Sequence, residues 1–146
     1  MTTIKTPHTK QEFKEYYALR YHVLREPLGL PKGTEKDDYE VISEHFMAVD
    51  DQTGEIVGVV KLYEDEPGLA RFSHLAVREN QQGKGIGQLL VDTVEKRARE
   101  RGFKRMGTLT RTSAVDVYEK YGYERAGMGK KLFGKLQLIW MLKDFK

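Results

Sequence analysis

Apolar residues recur along this chain with two different periods, and the switch between them predicts its elements. Phe13, Tyr17, Tyr21 and Leu24 follow a polar lead at near-helical spacing. They predict a first helix of about four turns, which Pro27 must end because proline removes a helix donor. The stretch from Glu26 to Glu40 holds Pro27, Gly29, Pro31, Gly33 and the acidic pair Asp37 and Asp38, and it reads as a mobile loop or a short second helix. Two strand-like runs follow, His45 to Val49 and Ile56 to Tyr63, joined by Asp50-Asp51-Gln52-Thr53-Gly54-Glu55. Those turn residues make a hairpin the natural connection. After Glu66-Pro67-Gly68 a third run, Ala70 to Val77, extends the pair into an antiparallel meander.

From Ile86 the period changes to 3.6. Ile86, Leu89, Leu90, Val94 and Ala98 form one apolar stripe, and Asp92 with Lys96 and Glu95 with Arg99 are four-apart pairs assigned to the outer face. Basic residues crowd the last turn and Gly102 supplies a left-handed cap. A strand near Lys104 to Thr110 comes next. Ser113, with Asp116 three residues on, then reads as the N-cap of a short helix that ends at Tyr121 before Gly122. Strand, helix, strand and helix in that order imply a parallel crossover. Two runs, Gly129 to Phe133 and Gln137 to Leu142 around Gly134-Lys135, close the sheet. The expected fold class is α+β, a mixed and mostly antiparallel sheet flanked by helices, in one domain over residues 1–146.

Composition narrows the chemistry without choosing it. The 146 residues are 39% hydrophobic and 32% charged, the profile of a globular chain. With no cysteine, disulfides, thiolate metal sites and a cysteine nucleophile are excluded. The net charge of +3 comes from 25 basic and 22 acidic residues that are interleaved; a mild basic excess suits a phosphate-rich ligand and equally suits nucleic acid. Met1 to Lys14 has no apolar core of signal-peptide length, and no run approaches the ~20 apolar residues of a membrane span. A cytoplasmic protein without a membrane partner is expected.

The candidate chemistry lies between the third strand and the long helix, in Arg78-Glu79-Asn80-Gln81-Gln82-Gly83-Lys84-Gly85-Ile86-Gly87-Gln88. Glycine costs about 1 kcal/mol relative to alanine inside a helix, so Gly83, Gly85 and Gly87 at a helix start point to a need for backbone access. Bare amides of a first helical turn close on an anion, and the helix dipole adds about half a positive charge there. The spacing fails the Rossmann pattern, since Gln88 stands at the third glycine, and fails the nucleoside-triphosphate pattern as well. It fits Q-x-x-G-x-G through Gln82, Gly85 and Gly87, directly after Leu75-Ala76-Val77.

At these residues the chain resembles the GNAT superfamily of acetyltransferases, whose motif of this form binds the pyrophosphate of acyl-coenzyme A. Ala114-Val115-Asp116-Val117-Tyr118-Glu119-Lys120-Tyr121-Gly122-Tyr123 is similar to the family's F-Y-E-K-x-G-[FY] segment, and Leu19 to Arg25 with Gly33 to Asp37 are similar to a bacterial branch of it. The resemblance implies the acyl-CoA N-acyltransferase fold, with splayed central parallel strands, and an N-acetyltransferase that moves an acetyl group from acetyl-CoA to a primary amine of a small molecule or a protein amino terminus by direct attack. It implies cofactor contacts at Leu75, Ala76, Val77, Gln82, Gly83, Lys84, Gly85, Ile86, Gly87, Gln88, Ser113, Tyr118 and Tyr121. Ser113 stands where the family often has Asn. Amides near Leu75 to Val77 would polarise the thioester carbonyl, and Tyr118, a phenol protonated at neutral pH, would protonate the departing thiolate. Tyr118 also has the spacing of a core tyrosine.

Glu79, just past the strand, is the candidate general base, while His74 and His45 fit packing roles better. The histidines at 8, 22, 45 and 74 lack ligand spacing such as H-E-x-x-H, so no metal is expected. Ser113 and the weak base leave a second reading, an acyl-CoA binding or sensing module without turnover. Nucleic-acid binding would need a basic block, which the sequence lacks. A homodimer is compatible with this reading and not required by it.

Overall fold

A computed structural model describes residues 1–134 and 136–145 of the chain. Seven strands, β1 (Thr2–Lys5), β2 (Glu44–Asp50), β3 (Ile56–Glu64), β4 (Leu69–Val77), β5 (Arg105–Arg111), β6 (Glu124–Leu132) and β7 (Leu136–Asp144), form one sheet in the order β1-β2-β3-β4-β5-β7-β6. Every neighbouring pair is antiparallel except β4 with β5. That parallel seam follows from the crossover through helix α2 (Ile86–Glu100), since strands running the same way need a long connection between them. Helix α1 (Lys10–Leu24) and helix α3 (Val115–Lys120) complete the fold. The expected mixed sheet flanked by helices is therefore present.

Helix α1 starts where a capping box can form. Thr9 Oγ1 accepts from the Glu12 amide and Glu12 Oε1 accepts from the Thr9 amide, both at 3.0 Å, so two donors without helical partners are satisfied reciprocally. A 3-10 turn, Glu26–Leu28, follows with Pro27 near its start. Strand β3 is buried on both faces, as the unbroken apolar run Ile56 to Val60 suggests. Val57, Val60 and Leu62 pack with α2 residues Leu90, Val91 and Val94 on one face, while Ile56 and Val59 meet Tyr16 and Leu19 of α1 on the other. Gly58 lets α2 approach: a side chain there would place its first carbon 2.9 Å from Leu90 Cδ1 and 3.1 Å from Ile86 Cγ2.

Four expectations are corrected. The polar lead contains an edge strand, β1, whose alternating half-buried side chains leave no apolar signature. Glu95 is not on the outer face: it is 4% exposed, accepts from the Tyr123 hydroxyl at 2.7 Å and from Lys143 at 3.0 Å, and so ties α2 to the last strands. Leu89 is exposed while Val91 is buried, which rotates the apolar stripe slightly. Strand β6 begins at Glu124, because an exposed edge strand carries no apolar alternation. Within the expected Gly134-Lys135 turn, Lys135 lies outside the described residues.

The segment expected to be mobile is held by buried charge. Arg20, fully buried on α1, donates to the Glu35 carbonyl at 3.1 Å and to Glu40 Oε2 at 2.9 Å. Lys61, fully buried on β3, donates to Glu40 Oε2 at 3.0 Å and to Asp37. Burial alone would raise the Glu40 carboxyl, but Arg20, the Asp37 amide and Lys61 outweigh it and hold it down to about 2. Breaking a buried pair strands its partners, so Glu40→Gln is expected to cost on the order of 3 kcal/mol in urea denaturation. Because the folded value lies below the ordinary 4.5, the Glu40 contribution is complete above that pH and is lost as pH falls toward about 2. The difference between wild type and Glu40→Gln should shrink across that window.

Candidate active site

Strands β4 and β5 stay paired over only Leu69, Ala70 and Arg71 against Arg105, Met106 and Gly107, and then separate. On its other side β4 carries one extra residue: Ala76 faces Val59, but Ser73 faces Lys61. This bulge coincides with His74, whose φ of 56° lies in the left-handed region, a conformation uncommon outside glycine. Past the bulge the Arg78 amide donates to the Val57 carbonyl at 2.8 Å. Alternation along a strand then turns the N–H groups of Leu75 and Val77 away from β3 and into the gap. Between the strands lies a cavity of about 470 Å³ lined by Asp37, His74, Leu75, Thr110, Arg111 and Tyr118, among others.

The strand leads directly into the glycine turn. A 3-10 turn, Glu79–Gln81, is followed by Gln82, whose side-chain amide donates back to the Val77 carbonyl at 3.0 Å. Gly83 and Gly85 have φ of 80° and 84°, values at which L side chains are strained. Gly85 is the N-cap of α2. No side chain caps this end and its first turn carries no acidic residue. The first amides of a 15-residue helix therefore face outward beside the exposed side chains of Lys84 and Gln88, an arrangement that binds anions. Gly87 faces α3: a side chain there would start 3.4 Å from the Tyr121 hydroxyl. Ile86 is buried and packs into the core rather than facing the turn.

Helix α3 delivers Tyr118 to the cavity wall. The side chain is 9% exposed, packs at a tilt against Phe72 at 5.9 Å between centroids and meets Tyr121 edge-on at 5.8 Å. Burial, reinforced by Tyr121, pushes its phenol well above the ordinary value of 10, so the hydroxyl keeps its proton throughout the neutral range. Ser113 does not cap α3. It lies exposed in a 3-10 turn, Thr112–Ala114, and Ala114 occupies the N-cap without a side-chain bond. Glu79 does not line the cavity; its side chain is 69% exposed, with Oε1 3.9 Å from His22 Nε2.

His74 lines the cavity with both ring nitrogens occupied. Nδ1 lies 3.0 Å from Ser73 Oγ, and Nε2 lies 3.5 Å from an Arg25 guanidinium nitrogen, which can only donate. Burial and the charges of Arg20, Lys61 and Arg25 depress its pKa well below 6.5, so the ring is neutral at pH 7. Asp37, Glu40 and His74 place one ligand atom each within 4.8 Å of one another. The Lys61 ammonium bonds both carboxylates and fills the cationic role there. His45 bonds Tyr16 and the Glu40 carbonyl, the packing role expected of it. Arg25, Asp37 and Arg111 also line the cavity although no sequence signal marked them as site residues. They come from a helix end, a loop and a strand, and no spacing links them.

A family model described as the acetyltransferase (GNAT) family matches residues 9–123, and the chain belongs to that family. The chain is 23% identical over 135 residues to an uncharacterized N-acetyltransferase, YjcF, of Bacillus subtilis, covering 92% of this chain and 94% of that one. Among solved structures, a Lactobacillus plantarum protein provisionally assigned as an N-acetyltransferase superposes with a TM-score of 0.86 at 22% identity, covering 99% of both chains. A GNAT family acetyltransferase from Elizabethkingia anophelis, solved with acetyl-CoA bound, gives 0.78 at 20% identity, over 99% of this chain and 98% of that one. No helix among the described residues is long and apolar enough to cross a membrane. If left-handed geometry at Gly85 builds the turn, Gly85→Ala should lower stability by roughly 1–2 kcal/mol in urea denaturation, the penalty of αL backbone for an L residue.

Proposed function

We propose that this chain is an acyl-CoA-dependent N-acetyltransferase that passes an acetyl group from acetyl-CoA to a primary amine of a small molecule or a protein amino terminus. The observation that carries this is that β4, whose ladder with β5 ends early, runs directly into the uncapped glycine turn. A diphosphate held at the turn would send its carrier arm back along β4 toward the cavity of about 470 Å³ lined by Leu75 and Tyr118. Gln82, Gly83, Lys84, Gly85, Gly87 and Gln88 are placed to hold the pyrophosphate, with Ile86 anchoring the turn from below. Leu75, Ala76 and Val77 offer their edge to the carrier arm, and we assign Ser113, in the turn before α3, and Tyr121, just past its end, to flank it.

The roles we assign are these. An amine attacks the thioester carbonyl while the Leu75 and Val77 amides, turned into the gap, stabilise the oxyanion. As the carbon–sulfur bond breaks, Tyr118 gives its proton to the sulfur; burial keeps the phenol protonated at neutral pH until the thiolate forms. The amine must first lose a proton. His74 has its ring lone pair turned toward a guanidinium, so Glu79, solvated just past the end of β4, is assigned as the base, reaching the amine through water.

Calorimetry with acetyl-CoA tests the reading directly, and absence of saturable binding would sink it. Tyr118→Phe is expected to lower kcat by about a hundredfold or more while acetyl-CoA affinity stays within severalfold, since proton transfer is lost and packing retained. Unchanged kcat would make Tyr118 a packing residue. Glu79→Gln should reduce kcat/KM by at least about tenfold while acetyl-CoA affinity is retained. The exposed Ser113 and Glu79 also favour the second reading, a binding or sensing module. Thiol release from acetyl-CoA across an amine panel separates the two, because a module binds and never releases thiol.

A further inference from the structure

The wall of the cavity next to α1 carries charge that an acyl donor does not require. A thioester and its carrier arm are neutral, and the phosphates are accounted for at the glycine turn. Yet Arg25, only 6% exposed, points its guanidinium along this wall. Its Nε donates to the Thr34 carbonyl at 2.9 Å and its Nη1 to the Leu24 carbonyl at 3.2 Å. Arg111, from the separated end of β5, donates to that same Leu24 oxygen at 3.3 Å. Two guanidinium groups thus converge on one neutral oxygen, and neither forms an ion pair among the described residues.

The neighbouring charges are already committed. Asp37 is bonded to Lys61, Arg71 pairs with Asp65 at 3.4 Å, and the Lys36 ammonium sits over the Tyr17 ring at 4.4 Å. Lys130, exposed on β6, adds a further cation at the rim. A buried cation without a paired counter-ion is costly, and carbonyl oxygens compensate Arg25 only in part. Burial first, and then the charges of Arg111 and Arg20, depress the pKa of Arg25 and outweigh the opposing carboxylates of Glu35 and Asp37. A carboxylate or phosphate offers two oxygens in the spacing that a guanidinium fork matches.

We infer that Arg25 and Arg111 select the acceptor by binding an acidic group on it, so that the substrates are small amines that also carry a carboxylate or a phosphate. This rests on the acetyl-transfer reading above. His74, at the bulge beside the gap, lies 3.5 Å from the Arg25 guanidinium, so the acidic group and the reacting nitrogen are separated by a short span. A compact amino acid or a short aminoalkyl phosphate fits, and a long polyamine does not.

The test uses three probes of equal length, β-alanine, β-alaninamide and 2-aminoethylphosphonate. Each is assayed for thiol release with acetyl-CoA and titrated onto protein saturated with CoA. The acidic probes should bind saturably and exceed the amide in kcat/KM by at least about tenfold, the value of charge-assisted hydrogen bonds. Preference for β-alanine or for the phosphonate tells carboxylate from phosphate. Arg111→Gln should erase the advantage of the acidic probes, and Arg111→Lys should restore part of it. Arg111 is only half-buried, so these variants are expected to fold, and acetyl-CoA titration verifies that they do. An amide as good as the acids, failure of both acids to bind the CoA complex, or an acid preference surviving in Arg111→Gln would overturn the inference. Failure of acetyl-CoA itself to bind wild type would instead refute the transfer reading.

Discussion

Everything functional in this fold depends on two parallel strands that stop bonding each other. A sheet normally consumes the amides of its central strands, because an unpaired backbone donor in the interior is expensive. Here β4 and β5 share only a short ladder and then part, leaving the edge of β4 unpaired in the middle of the molecule. The separation is stabilised on both sides. The bulge at His74 re-aims β4, and helix α3, docked through Phe72, Tyr118 and Tyr123, fills the angle where the strands part. In the proposed reaction the unpaired amides are the binding groups, and they would need no reorganisation when a carbonyl arrives.

The same opening requires a wall on its other side, and that wall is electrostatic. The loop between α1 and β2 has few apolar anchors; Val41 and Ile42 are exposed. It is instead tied to the sheet through Glu40, Asp37, Arg20 and Lys61. Buried ion pairs of this kind confer geometry more reliably than stability, because desolvation consumes much of the Coulombic gain. Their effect here is to fix a polar rim over the cavity and to hold Arg25 close to Arg111. The glycine turn, with its exposed and uncapped amides, is the complementary device on the opposite side, where backbone dipoles add to the charge of Lys84.

The elements legible in the sequence were those whose signal is local. Period-2 runs announced β2, β3 and β4, and the 3.6-residue stripe announced α2. Gly83, Gly85 and Gly87 announced an anion-binding turn, because glycine at a helix start weakens the helix unless its bare backbone is put to use. Elements with exposed or polar faces were silent. Strand β1 has a single apolar side chain directed at the core, Ile4, and β6 is exposed along its length, so neither shows alternation. Ser113 had the residue type of an N-cap but not the backbone position, since a 3-10 turn shifts the helix start beyond it. Glu95 reads as an outward charge until Tyr123 and Lys143, arriving from a distant part of the chain, surround it.

By itself, then, the order of residues determined the succession of the central strands and helices, the parallel crossover, the glycine turn at the start of α2 and the tyrosine of α3. All of these are set by periodicity and by the steric freedom of single residues. Only the tertiary structure decided where β4 and β5 part, which side chains face the gap, and that Arg25, Asp37, His74 and Arg111 share one cavity. Those residues are brought together by packing between elements far apart in the chain. Charge without a local partner acquires a meaning only when folding reveals what stands opposite it.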